Sequence, residues 1–230
     1  MKILGIIPAR GGSKGVIRKN IKYLGDIPLI AHTIKTALES SGINKLIVST
    51  EDDEIADVAL KFGASVPFKR PFNLAQDNSK SIDVAVNALL EAEKFYKECY
   101  DAIILLQPTT PFRNKDDINN AINILYTNSE ADSVISVVNV EGHHPARMKY
   151  INNNILIDPE FCEKHENQNR QELEPMFIRN GAIYLTKRNV LLKNSFKGQK
   201  SFAYIMPLNR SINIDNQNDF DYAKWLLQKT

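Results

Sequence analysis

The sequence predicts an α/β fold: a doubly wound, mostly parallel sheet with helices on both faces and an inserted arm or small lobe. Three observations predict it. Short β-rich apolar runs alternate with longer stretches at the helical period, the signature of βαβ units. The first of these runs, Lys2 to Pro8, opens directly into a glycine-rich turn. The alternation breaks once, over about 141–179, and then resumes. The 230 residues are expected to form one domain, 1–230, carrying that insertion.

The elements follow in order. Lys2–Pro8 reads as a buried strand. Lys45–Thr50 is a second strand, and Glu51-Asp52-Asp53-Glu54 then opens a helix with acids in its first turn. Ala64–Phe68 is a short strand. Ser81–Glu98 is a long amphipathic helix, with Ile82, Val86, Leu89, Leu90 and Phe95 near the helical period. Ala102–Leu106 is apolar throughout, as a strand buried on both faces should be. Asp116–Tyr126 is a helix and Ser133–Val140 a strand. The segment from Glu141 to Arg179 is polar, rich in Asn, Glu and His, and too long for a plain connection. After it come a strand at Asn180–Leu185, a helix near 188–193, a strand at Phe202–Pro207 and a last helix from Asp219 to Gln228. Right-handed crossovers put the loops after the parallel strands on one edge of the sheet, where ligands bind.

Composition narrows the function. The 43% hydrophobic and 24% charged residues are ordinary for a globular protein. A net charge of +2 argues against non-specific nucleic-acid binding, which needs a strongly basic face. Cys99 and Cys162 lie far apart, outside metal-like spacing, and suggest a reducing compartment. No apolar stretch is long enough to span a membrane. The opening residues resemble a signal peptide only briefly, because Arg10 and Lys14 follow a short apolar run. A cytoplasmic protein is expected.

The turn after the first strand holds the strongest chemical signal. Arg10-Gly11-Gly12-Ser13-Lys14-Gly15 is followed by Arg18-Lys19-Asn20, and no Asp or Glu precedes Asp26. Glycines allow a tight turn and close approach to a ligand, and free N–H groups in such a turn form an anion-binding concavity. The spacing is neither GxxxxGK[ST] nor GxGxxG, so a Walker loop and a dinucleotide site are both unsupported. A surface turn with solvated lysines is the plain alternative. The coincidence of strand, glycines and unopposed cations favours a phosphate cradle.

Ile7-Pro8-Ala9-Arg10-Gly11-Gly12-Ser13-Lys14-Gly15, closing on Arg18-Lys19-Asn20, resembles the opening motif of the acylneuraminate (CMP-sialic acid) cytidylyltransferases. Arg70-Pro71, Leu74-Ala75, Asp77 and Ser81 are similar to the family's second nucleotide loop. Leu105 to Arg113, His143-His144-Pro145, Gln168-Asn169-Arg170-Gln171, Asn180 to Tyr184 and Ile212 to Asp215 follow in the family's order. Several motifs in one order are far more specific than any one alone. The resemblance implies a Rossmann-like nucleotidyltransferase fold. The implied reaction is attack of a nonulosonic acid's anomeric hydroxyl on the α-phosphate of CTP, with loss of pyrophosphate. The sugar would be a sialic, legionaminic or pseudaminic acid.

Roles carried over by that resemblance fall on specific residues. Arg10, Lys14 and Lys19, with the backbone of Gly11, Gly12 and Ser13, would hold the phosphates. Asn20, Arg70 and Ser81 would hold cytidine, and Gln107, Arg147, Arg170, Tyr184 and Phe196 the sugar. Phe196 matches with a small offset in spacing. A homodimer is implied, with part of the 141–179 arm reaching the partner's site for sugar binding and dimerisation. Mg²⁺ is implied, with Asp215 as main ligand and Asn213 second to it. Two positions depart from the family: Arg147 stands for its usual Lys, and Asn213 for the first Asp of Asp-x-Asp. A related nucleotidyltransferase for the eight-carbon acid Kdo, and a non-catalytic nucleotide-binding protein, remain as alternatives. Adjacent His143 and His144 do not share a face and are poorly placed to chelate together.

Overall fold

The computed structural model describes residues 1–229. In chain order the strands and helices are β1 (Ile3–Pro8), β2 (Tyr23–Leu24), β3 (Ile27–Pro28), α1 (Leu29–Glu39), β4 (Lys45–Ser49), α2 (Asp53–Lys61), α3 (Ser81–Tyr96) and β5 (Ala102–Leu105). They continue with α4 (Lys115–Thr127), β6 (Ser133–Asn139), β7 (Tyr150–Asn152), β8 (Ile155–Ile157), β9 (Phe177–Lys187), α5 (Arg188–Leu191), β10 (Ser201–Ile205) and α6 (Gln217–Leu227). The central sheet has the order β10-β6-β9-β5-β1-β4. β1 pairs in parallel with β4 and β5, and β10 with β6. β9 alone runs antiparallel, between β5 and β6.

Period-2 alternation sorts the strand side chains into two layers. Ile3 and Ile7 of β1, Val48 of β4 and Ile104 of β5 face α1, α2 and α4, packing on Ile30, Ile34, Ile55, Ala59, Ile118 and Leu125. Leu4, Ile6, Ile47, Ile103 and Leu105 face the other way, onto Ala85, Ala88 and Leu89 of α3 and Leu191 of α5. Each fully buried Leu or Ile contributes about 1.5–3 kcal/mol over its exposed state. A third cluster docks α6 against the first loop, through Val16, Leu24, Leu29, Ile214 and Phe220.

Polar side chains set the helix starts. Asp52 caps α2 by accepting from the Ile55 N–H. Asn114 with Asp117 on α4, and Asn216 with Asp219 on α6, form reciprocal capping boxes. Such caps are each worth about 1 kcal/mol.

Three readings change. Ala64–Phe68 is not a strand: only an isolated bridge, Ile47 to Ser65, forms there. Gly63 turns the chain with φ 92°, and Pro67 has no N–H with which to extend the pairing. The strand expected from Asn180 begins earlier, at Phe177. Helix α1 has no counterpart in the sequence reading, although Leu29, Ile30, Ile34 and Ala37 carry its buried face.

Candidate active site

The loops that leave β1 and β5 at their carboxyl ends, and the loop that leads into α3, meet the last loop before α6 around a cavity of about 430 Å³. Its wall includes Arg10, Ser13, Lys14, Lys19, Asn20, Arg70, Ser81, Gln107, Asn213 and Asp215. Residues separated by two hundred positions in sequence therefore share one site.

The first loop is built by close approach. A Cβ on Gly15 would fall 1.9 Å from the Asp215 carbonyl oxygen, so only glycine allows the two loops to touch. Lys19 then reaches across and donates from Nζ to the Ile214 carbonyl at 2.6 Å. Burial pushes the Lys19 ammonium below its ordinary value, and the nearby Asp215 carboxylate opposes that shift. Asn20 is buried and donates from Nδ2 to the Arg10 carbonyl at 2.9 Å, which holds Arg10 in place.

The loop's positive charge is less free than the sequence suggests. Arg18, in the left-handed region at φ 52°, is turned onto α2 and clamped by Asp52 at 2.5 Å and by Glu54. The Gly11 N–H is already donated to Glu51 Oε1 at 2.7 Å. Neither Gly11 nor Gly12 lines the cavity. Arg10, Lys14 and Lys19 are the side-chain cations of this loop that line the cavity.

Arg70 enters from beneath. It donates from Nε to Ser49 Oγ at 3.1 Å and from Nη2 to the Ser49 carbonyl, and burial lowers its pKa to about 10. Ser81 is the first residue of α3, so this helix also turns the positive end of its dipole to the cavity.

The antiparallel course of β9 brings Asn180 and Gly181 beside Gln107. Gly181 has φ 77°, and a Cβ there would lie 2.8 Å from Gln107 Oε1. Asn180 is fixed by Ser136 Oγ at 2.6 Å and Ser211 Oγ at 2.9 Å. Asn213 donates from Nδ2 to Asp215 Oδ2 at 2.7 Å, so the two side chains meet on one side of an irregular segment. Asn216, not Asp215, caps α6, which leaves the Asp215 carboxylate at the cavity wall.

A second cavity, of about 640 Å³, is lined by Ile82, the residue after Ser81. Ile82, Ile135, Val137 and Phe196 make it apolar, and Arg179 adds a cation. Tyr184 packs on Phe196 with ring centroids 5.3 Å apart. The remaining two sugar candidates lie elsewhere. Arg147 donates to the Gln168 carbonyl at 2.7 Å, Arg170 pairs with Glu141, and neither lines either cavity. His144 bonds the Glu174 carbonyl through Nε2 and accepts the Ala146 N–H at Nδ1.

Two residues here had no assigned role in the sequence. Arg113, fully buried, ties the Gln107 carbonyl to β9 and α1. Asp77 faces Arg10 and Lys14. Both stand inside recognised motifs, and that was the available signal.

The α/β sheet with a cationic cavity at its carboxyl edge has the Rossmann-like fold of the nucleotidyltransferases. The sequence matches the cytidylyltransferase family over residues 4–230. It is 36% identical to a pseudaminic acid cytidylyltransferase of Campylobacter jejuni, covering 98% of this chain and 96% of that protein. It is 34% identical to a CMP-N,N'-diacetyllegionaminic acid synthase of Legionella pneumophila, covering 99% and 97%. The fold resembles a CMP:2-keto-3-deoxy-manno-octonic acid synthetase complexed with CTP, with TM-score 0.74, 16% identity and coverage of 100% and 99%. The chain belongs to the cytidylyltransferase family.

Proposed function

We propose that this protein transfers CMP from CTP to the anomeric hydroxyl of a nonulosonic acid. The sugar oxygen forms a bond to the α-phosphorus, the bond to the bridging β-phosphate oxygen breaks, and pyrophosphate leaves. One observation carries the reading: Arg10, Lys14 and Lys19 stand in the same cavity as Gln107 and Asp215. The cations would neutralise charge that grows on the phosphates, which is most of what phosphoryl-type transfer asks of a protein. Asn20, Arg70 and Ser81 would hold cytidine. Gln107 would bond the sugar, with its tail toward Tyr184 and Phe196. The names of the two bacterial relatives support a pseudaminic or legionaminic type of acid.

Among the described residues no group of three or more His, Cys, Asp or Glu side chains could hold a metal ion. A protein-only cage is therefore unsuited, but Mg²⁺ commonly takes one or two carboxylates and fills its shell with phosphates and water. Asp215 fits that use, and Asn213 would orient its carboxylate through Nδ2. Bound there, Mg²⁺ would neutralise phosphate charge.

The arm supports a homodimer. The residues of β7 and β8 are all exposed, with Ile151 at 72% and Leu156 at 68%. A lone two-stranded hairpin is marginal in water, and a second copy would cover it. No helix among the described residues is long and apolar enough to cross a membrane. Free Cys99 and Cys162 support a reducing, cytoplasmic setting.

The test is pyrophosphate release from CTP and Mg²⁺ with N-acetylneuraminic, legionaminic, pseudaminic and Kdo acids. Release with a nine-carbon acid is expected. Release with Kdo alone would replace the sugar assignment, and CTP binding without release from any acid would replace the reaction.

A further inference from the structure

Arg10 and Lys14 are both paired with one carboxylate, that of Asp77. Arg10 Nη1 lies 2.9 Å from Asp77 Oδ1, and Lys14 Nζ lies 2.5 Å from Asp77 Oδ2. One carboxylate thus spans two cations with two oxygens, the arrangement a phosphoryl group would adopt between them. Asp77 belongs to the loop that joins Arg70 to α3, and it lines the same cavity.

That loop also has hydrogen bonds of its own. The Gln76 N–H donates to Ser79 Oγ at 2.9 Å, and the Ser79 hydroxyl donates to the Asn73 carbonyl at 3.0 Å. Gln76 Nε2 donates to the Phe72 carbonyl at 2.9 Å, and the Arg70 N–H to the Thr50 carbonyl at 2.9 Å. None of these bonds uses the Asp77 carboxylate. Its side chain is 47% exposed and that of Lys14 is 81% exposed. Exposed pairs of this kind are weak and readily exchanged, and a triphosphate brings more negative charge than one carboxylate.

We propose that Asp77 is a positioning residue that stands in for a phosphoryl group, holding Arg10 and Lys14 at the cavity and yielding them to the triphosphate of the nucleotide. The inference rests on reading this cavity as the triphosphate site. Asp77 has two consequences for binding. It keeps two flexible cations directed at the cavity, and it competes with the phosphates for them. Removing its charge while keeping its shape lifts the competition.

Calorimetry with metal-free inorganic tripolyphosphate tests this on the intact chain. Asp77→Asn is expected to bind tripolyphosphate about three- to tenfold tighter than wild type, the range that two exposed pairs can supply. Asp77→Glu should return toward wild-type affinity, and cytidine, which lacks phosphates, should bind all three proteins alike. A merely structural residue would weaken both ligands together. Asp77→Ser, read in the same way, guards against a folding defect peculiar to the Asn variant. Unchanged or weaker tripolyphosphate binding by folded Asp77→Asn and Asp77→Ser would overturn the proposal while leaving the site assignment intact. A wild-type protein that binds neither tripolyphosphate nor CTP would overturn both.

Discussion

Lys19 is half-buried and lines the cavity. Desolvation lowers its pKa from the ordinary lysine value. Loss of the proton removes a positive charge, so nucleotide capture falls as pH rises through the lowered value, sooner than for an exposed lysine. In the pH profile of kcat/KM, which reports the free enzyme, Lys19→Arg should move the alkaline limb to higher pH. Lys19→Ala should cut kcat/KM by about 100-fold, the scale of one lost transition-state donor. An alkaline limb that stays put in Lys19→Arg would assign it to another group. The sequence shows the lysine but not its burial, because that depends on contact with Ile214 at the far end of the chain.

At the scale of elements, Arg113 is the joint. Its guanidinium donates from Nη1 to the Ala182 carbonyl at 2.6 Å, and from Nη2 to Thr33 Oγ1 at 2.7 Å and to the Gln107 carbonyl at 3.1 Å. One planar fork thereby links α1, β9 and the exit of β5. Complete burial drives its pKa down to about 9. Arg113→Met keeps much of the volume but strands three acceptors. Urea unfolding should show a loss of about 2–4 kcal/mol, less than the summed bonds because a costly buried charge also disappears. A loss below about 0.5 kcal/mol, typical of surface changes, would show that the fork bears no structural load. From the sequence, Pro111-Phe112-Arg113 is a strand exit with a basic residue. Only the antiparallel insertion of β9 gives that arginine its acceptors.

At the scale of the molecule, the arm is the part the core does not explain. Tyr150, Ile151, Ile155 and Leu156 are all more than 60% exposed on a hairpin that pairs only with itself. Arg147 and Arg170 hold arm segments together through Gln168 and Glu141 and line neither of their own chain's cavities. Both facts are what a protein that completes its site with a second copy would show. Light scattering on the wild type should give a dimer mass. The double substitution Ile151→Asp with Leu156→Asp should give a folded monomer with weakened sugar kinetics. A wild-type monomer with full turnover would remove the dimer from the account.

The sequence by itself determined the layered α/β architecture, the order of most elements and the glycine-rich, cationic make-up of the first loop. These depend on local information: periodicity, glycine spacing and capping side chains are set by near neighbours. The motif order also brought Arg10, Lys14, Lys19, Asn20, Arg70, Ser81, Gln107, Asn213 and Asp215 forward as one set, and the structure gathers them at one cavity. Tertiary structure decided how their charges are used. Arg18, an unopposed cation in the sequence, is neutralised by Asp52 and Glu54 from a helix more than thirty residues on. Arg10 and Lys14 are met by Asp77, and Gly15 is required by the carbonyl of Asp215. A coulombic or steric partner acts through a few ångströms of space, whatever the distance along the chain, and no local pattern in the sequence records that proximity.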